Sequence, residues 1–153
     1  EVADIVVIPT DSDIQASSLQ QFIGLSLRRN QPLVLATRYE YVYPTLDSAF
    51  QSRTLSRQNY YSDYAMLRAL VNHQQTGIDG IVISELVYDF LVQNNPSLNE
   101  HFRKADFVVD IAPYQFRFPK TQDGKLNMLL TNQVLSRLHA RYRVAQIVEK
   151  YTQ

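Results

Sequence analysis

Between residues 32 and 93, short apolar runs alternate with longer amphipathic stretches, and this alternation constrains the fold more than any other feature of the chain. Residues 33–36 (LVLA) read as a buried strand. Pro44 suits the first turn of a helix that places Leu46 and Phe50 on one face. Residues 55–61 read as a short, half-polar edge strand. Ser62 is positioned to cap the next helix, where Met66, Leu67, Leu70 and Val71 form the apolar stripe. Gly77 lies in the turn that follows. Residues 78–83 (IDGIVI) are the most strand-like segment. Glu85 then opens a helix with Leu86, Val87, Phe90 and Leu91 inward, and Asn94, Asn95 and Pro96 break it.

The flanks continue the pattern. Residues 4–9 (DIVVIP) form an apolar, β-branched run closed by a proline, the mark of a buried strand. After a polar turn, Leu19, Phe22, Ile23 and Leu27 fall on one helical face, capped by Ser17 or Ser18. Asn30 ends that helix and Pro32 forbids its continuation. Residues 98–102 read as one further turn and 107–111 as a strand. Residues 114–118 alternate aromatic with polar, as a half-exposed strand does, and 121–124 form a turn. From residue 125 the chain reads as mostly helical, with a break at 140–143. Strands separated by helices predict an α/β fold with a mostly parallel sheet, a three-layer sandwich with right-handed crossovers.

Composition narrows the function. A chain of 153 residues fits one domain with a real core. Lys and Arg together number 15 and so do Asp and Glu, so no basic excess argues for nucleic acid. The absence of cysteine excludes disulfides, thiolate metal sites and a cysteine nucleophile. No apolar run approaches the roughly 20 residues that span a bilayer. The chain begins at Glu1 rather than Met and enters a strand almost at once, as an excised fragment or processed product would. His73, His101 and His139 lack metal-ligand spacing, no G-x-S-x-G elbow is present, and four glycines in all leave no phosphate-binding loop. Asp11 and Asp13 read as turn residues and Asp79 as a turn residue leading into a strand. These residues offer no catalytic constellation and no cofactor site. Tyr39, Tyr41, Tyr43, Tyr60 and Tyr61 cluster in sequence, which suits a ligand pocket and ordinary strand packing equally.

Three further stretches carry a resemblance. Met66-Leu67-Arg68-Ala69-Leu70 followed by Gly77-Ile78-Asp79-Gly80-Ile81-Val82-Ile83-Ser84-Glu85-Leu86-Val87 is one. Gln115-Phe116-Arg117-Phe118-Pro119-Lys120 and Gln146-Ile147-Val148-Glu149-Lys150-Tyr151 are the others, and Tyr39-Glu40-Tyr41 adds a strand-to-helix turn. In this order and spacing they resemble the second lobe and C-terminal helices of type 2 periplasmic solute-binding proteins, extracellular family 3. The resemblance implies a single lobe of that fold: residues 1–10 as the hinge strand, 32–120 as the core of lobe two and 121–153 as C-terminal helices. It implies a periplasmic protein whose partners are a small amino-acid-like or carboxylate ligand, a first lobe outside this sequence, and a membrane permease or signalling protein. An isolated lobe also exposes the face built for its partner, which predicts a homodimer.

In an open α/β sheet the crevice lies beyond the carboxyl ends of the strands, where helix N-termini present free N–H groups. Two loops qualify. In the first, Arg38 suits bidentate pairing with a ligand carboxylate, Tyr39, Tyr41 and Tyr43 suit stacking or hydrogen bonding, and Thr45 offers a hydroxyl. The second holds Ser84 and Glu85. The resemblance implies an Asp where this chain has Ser84, and a glycine where it has Arg38. Glu85 also reads simply as a carboxylate favoured by the helix dipole. The alternative function is the effector-binding domain of a cytosolic transcription regulator, which shares this two-lobed architecture; an enzyme on the same scaffold would need a nucleophile–base pair.

Overall fold

In the computed structural model, which describes residues 2–112, five strands alternate with five helices. They are β1 (Val2–Pro9), α1 (Leu19–Leu27), β2 (Leu33–Arg38), α2 (Pro44–Gln51), β3 (Leu55–Tyr60), α3 (Asp63–Val71), α4 (His73–Thr76), β4 (Gly80–Ser84), α5 (Glu85–Asn94) and β5 (Phe102–Ala112). A 3₁₀ turn (Pro96–Glu100) links α5 to β5. The expected strand over 114–118, the turn over 121–124, the helices over 121–153 and the two motifs within them lie outside the described residues.

The strands form one sheet in the order β3-β2-β4-β1-β5. β2 pairs in parallel with β3 and β4, while β1 is antiparallel to both β4 and β5. Four strands therefore run in one direction and β1 alone opposes them, so the sheet is mostly parallel in direction although two of its pairings are antiparallel. β3 is an edge strand, as its half-polar sequence predicts, with Ser56, Gln58 and Asn59 exposed.

Side chains alternate across the sheet and build two cores. Val6, Ile8, Leu33, Leu35, Leu55 and Val82 face α1 and α2, with Phe22 and Leu46. Ile5, Val7, Ala36, Ile81 and Ile83 face α3 and α5, with Met66, Leu67, Leu70 and Tyr88. This is the expected three-layer sandwich. The rings of Phe22 and Phe107, 5.4 Å apart, tie α1 to β5.

The caps follow the sequence. Ser18 Oγ accepts from Gln21 N at 3.1 Å and Ser62 Oγ from Ala65 N at 3.0 Å. Pro44 occupies the first turn of α2. Asp79 is the expected turn residue: its Oδ2 accepts from Val34 N at 2.8 Å while its own N donates to Val34 O, so it fastens the start of β2.

Several details differ. α1 ends at Leu27, a turn before Asn30, and Leu27 is 68% exposed, because the buried face runs through Phe22 and Ser26. Val71 and Phe90 are also exposed; on α5 Val87 and Leu91 pack against the core as expected, and the fully buried residue is Tyr88. Lys104 Nζ stands 5.9 Å from the Tyr88 ring, giving that tyrosine a partner at the helix–sheet boundary. β5 begins at Phe102, five residues earlier than the apolar run implies, because pairing with β1 extends to Pro9↔Phe102.

Candidate crevice at the carboxyl edge of the sheet

Because β2, β3, β4 and β5 point the same way, their carboxyl ends meet the start of β1 along one edge. The register fixes the neighbours there. Arg38 lies opposite Tyr60, and Asp4 lies opposite Ser84 on one side and Asp110 on the other. α2, α3 and α5 all begin at this edge, with N-caps Tyr43, Ser62 and Ser84. The structure thus brings both sequence-identified loops together.

The first loop is stiff. Arg57 donates from Nη2 to Arg38 O at 2.9 Å and to Tyr41 O at 2.7 Å. Tyr39 N donates to Tyr60 O at 2.7 Å, and Tyr41 N to Arg38 O at 3.1 Å. The turn these bonds enforce leaves Glu40 in the left-handed region, with φ 59°. That conformation is uncommon for any residue bearing a Cβ.

Arg38 pairs with Asp63 of α3 at 3.1 Å and lies 5.0 Å above the Tyr41 ring. The guanidinium expected to pair a ligand carboxylate is thus already held on one side by Asp63. Tyr39 is 41% and Tyr61 80% exposed, and their rings sit 5.1 Å apart. Tyr43 and Thr45 differ from expectation. Tyr43 is 2% exposed and its hydroxyl accepts from Arg38 N at 3.3 Å, because α2 begins over the core. Thr45 Oγ1 donates to Val109 O at 2.9 Å, which joins α2 to β5. Both hydroxyls act inside the lobe.

In the second loop, Ser84 occupies the N-cap of α5 without a side-chain capping bond. Glu85, in the first turn of α5, meets Lys104 Nζ of β5 at 3.2 Å. Asp89 takes the same ammonium at 2.8 Å. Burial works against the Lys104 charge, but hydrogen bonds to Asp89 and Glu85 more than offset it and hold its pKa above the ordinary 10.5. Burial raises the Tyr60 phenol at the end of β3.

Among the described residues, three buried side-chain atoms have no hydrogen-bond partner: Arg38 Nε, Glu40 Oε2 and Asp110 Oδ2. Buried polar groups are nearly always paired, so each calls for a physical reason. All three belong to residues at the carboxyl edge. Sequence reasoning missed Glu40, Asp4 and Asp110. Asp110 interrupts the apolar run FVVDIA, a signal that could have drawn attention to it. Asp4 is 6% exposed despite its charge, which only the strand register explains.

A separate groove of about 550 Å³ opens at the opposite edge, lined by Thr10, Ser12, Gln15, Ser17, Arg103 and Asp106 among others. Arg103 there is bound to the β1–α1 loop, donating to Ile14 O at 2.7 Å and to Ser12 O at 3.3 Å. No unpartnered buried atom faces it, so the carboxyl edge is the stronger candidate. Among the described residues no group of three or more His, Asp or Glu side chains could hold a metal ion. Nor is any helix of the described residues long and apolar enough to cross a membrane.

No protein-family model matches the chain, and no curated protein matches it either. Solved structures do. An ancestral arginine-binding protein bound to arginine aligns with a TM-score of 0.62 at 14% identity, covering 100% of this chain and 61% of that one. An arginine transport-system periplasmic binding protein from Legionella pneumophila aligns at 0.61 and 15%, covering 99% and 61%. The GluR0 ligand-binding core from Nostoc punctiforme, in complex with L-glutamate, aligns at 0.57 and 15%, covering 98% and 60%. The chain shares their fold and spans about three fifths of their length.

Proposed function

We propose that this chain is one wall of a small-solute binding cleft and acts by holding its ligand, without catalysis. The observation that carries the reading is that Arg38 Nε, Glu40 Oε2 and Asp110 Oδ2, buried and unpartnered, all belong to residues along the edge where α/β sheets bind ligands. The shared fold supports it, since the matched proteins are described as arginine- and glutamate-bound or as transport binding proteins. Arg38, Tyr39, Tyr41 and Ser84 form the contact surface, while Tyr43, Thr45 and Glu85 hold its shape. Residues 1–10 serve as the hinge strand, 32–120 as the lobe core and 121–153 as C-terminal helices. In the working protein the first lobe closes over this edge, as hinged binding proteins do. The setting is the periplasm, and a permease or signalling protein reads the closed state.

Thermal-shift measurements on the 153-residue chain against L-arginine, L-glutamate, spermidine and succinate test the reading. A solute that binds only the native state raises the melting temperature, by an amount that grows with the logarithm of its concentration over its Kd. Arg38→Ala is expected to abolish most of that rise, and Gln20→Ala, on the exposed face of α1, to leave it intact. Equal effects of the two substitutions would overturn the site.

A further inference from the structure

Glu40 combines two features that a residue with only a packing role does not need. Its backbone has φ 59°, a conformation that disfavours any side chain with a Cβ. Its Oε2 is also buried without a hydrogen-bond donor. A carboxylate oxygen shut from water and left without a donor is destabilising. The surrounding bonds from Arg57, Tyr39 and Tyr41 prevent the loop from relaxing out of this arrangement. Such retained strain gathers at ligand sites, where the surrounding structure over-determines it.

The neighbourhood indicates which ligand group would satisfy it. The Arg38 guanidinium is the nearest cation in sequence, and its partner is Asp63. On the same loop Tyr39 presents a half-exposed ring, paired at 5.1 Å with the exposed ring of Tyr61. An aromatic pair that includes the residue preceding a donor-poor carboxylate suits an organic cation, which bonds the oxygen through its N–H groups and lies against the π faces.

We infer that Glu40 is the cation-receiving residue of the crevice, taking a side-chain guanidinium group of the solute while the Tyr39–Tyr61 pair flanks it. This rests on the solute-binding reading and adds the residue and the charge it selects.

The test is an amide-resolved NMR titration of the 153-residue chain with L-arginine, its neutral isostere L-citrulline, and L-glutamate. L-Arginine is expected to shift the amides of residues 38–45 and to bind about tenfold more tightly than L-citrulline, as a charge-assisted bond allows. Glu40→Gln keeps the shape and removes the charge; it should weaken L-arginine about tenfold and leave L-citrulline within about twofold. Glu40→Gly removes the strain; it should lose the same arginine affinity with a melting temperature equal to or above the parent's. Unchanged arginine affinity in Glu40→Gln, or equal binding of L-arginine and L-citrulline to the parent, overturns the role of Glu40 and leaves the solute-binding reading standing. A lower melting temperature in Glu40→Gly assigns the side chain a structural role instead and also overturns the proposal. No shift at residues 38–45 or 84–85 with any of the three ligands removes the solute-binding reading and this proposal together.

Discussion

Ser26 sits on the buried face of α1 with 3% of its surface exposed. Its hydroxyl donates to Thr54 O and accepts from Leu33 N at 2.9 Å, so one side chain ties the end of α1 to the starts of β2 and β3. Those starts set where the two strands, and hence Arg38 and Tyr60, finish. Ser26→Ala leaves the Leu33 N–H buried without an acceptor, and an orphaned buried donor costs about 1–3 kcal/mol. Urea denaturation should show a loss of that size with an unchanged slope, and a loss under ~0.5 kcal/mol would mean that Leu33 N finds another acceptor. The same residue explains why the helix face differs from its sequence reading. Leu27 completes the apolar spacing with Leu19, Phe22 and Ile23, but the polar residue beside it makes the buried bonds. Hydrophobic periodicity does not register a serine whose partners lie 7 and 28 residues away.

At the scale of elements, the local signals carried most of the fold. Ser62, Pro44, Asp79 and the 94–96 break each act through neighbours in sequence or one adjacent strand, and each lies where the residues imply. Strand limits were less legible. The apolar signal starts β4 at Ile78, yet the strand begins at Gly80, because Asp79 is engaged with Val34 instead. Gly80 packs directly against the side chains and backbone of β1. A Cβ there would stand 3.1 Å from Ile8 Cγ2, 3.1 Å from Val7 O and 3.2 Å from Val6 Cγ1. One of these atoms is backbone, so the sheet itself must yield. A glycine inside a strand pattern often marks such an approach. Gly80→Ala gains a little by restricting the unfolded chain, by about 0.4–1 kcal/mol, but overpacking of this kind costs about 1–3 kcal/mol. A net fall in the denaturation midpoint is expected; a rise would mean that β1 and β4 separate more easily than the contacts suggest.

For the whole molecule, β1 is the shared element. It lies between β4 and β5, and its alternate side chains enter both cores. Its reversed direction also brings Asp4 beside Ser84 and Asp110. These residues are distant in sequence and meet only through antiparallel register, so the acidic side of the crevice could not be read from any local pattern. The loop side could be, because Arg38, Tyr39 and Tyr41 are consecutive or nearly so. β5 adds a second long-range link, since Lys104 joins it to α5 through Asp89 and Glu85. Two groups at this link hold their protons more tightly in the folded chain. Burial raises the Tyr88 pKa above 10.0, an effect that Lys104 opposes and Asp89 reinforces. The Lys104 pKa lies above 10.5. The native state therefore binds more protons than the unfolded chain as these groups titrate, and stability must fall as pH rises through that range. Their contribution is complete below about pH 10 and is lost above it. Melting temperatures between pH 8 and 11 should stay level at first and then decline. Lys104→Met, which removes one of the two groups, should lower the plateau and make the alkaline decline shallower. A Lys104→Met profile parallel to the parent's at every pH would show that the link between α5 and β5 does not depend on that ammonium.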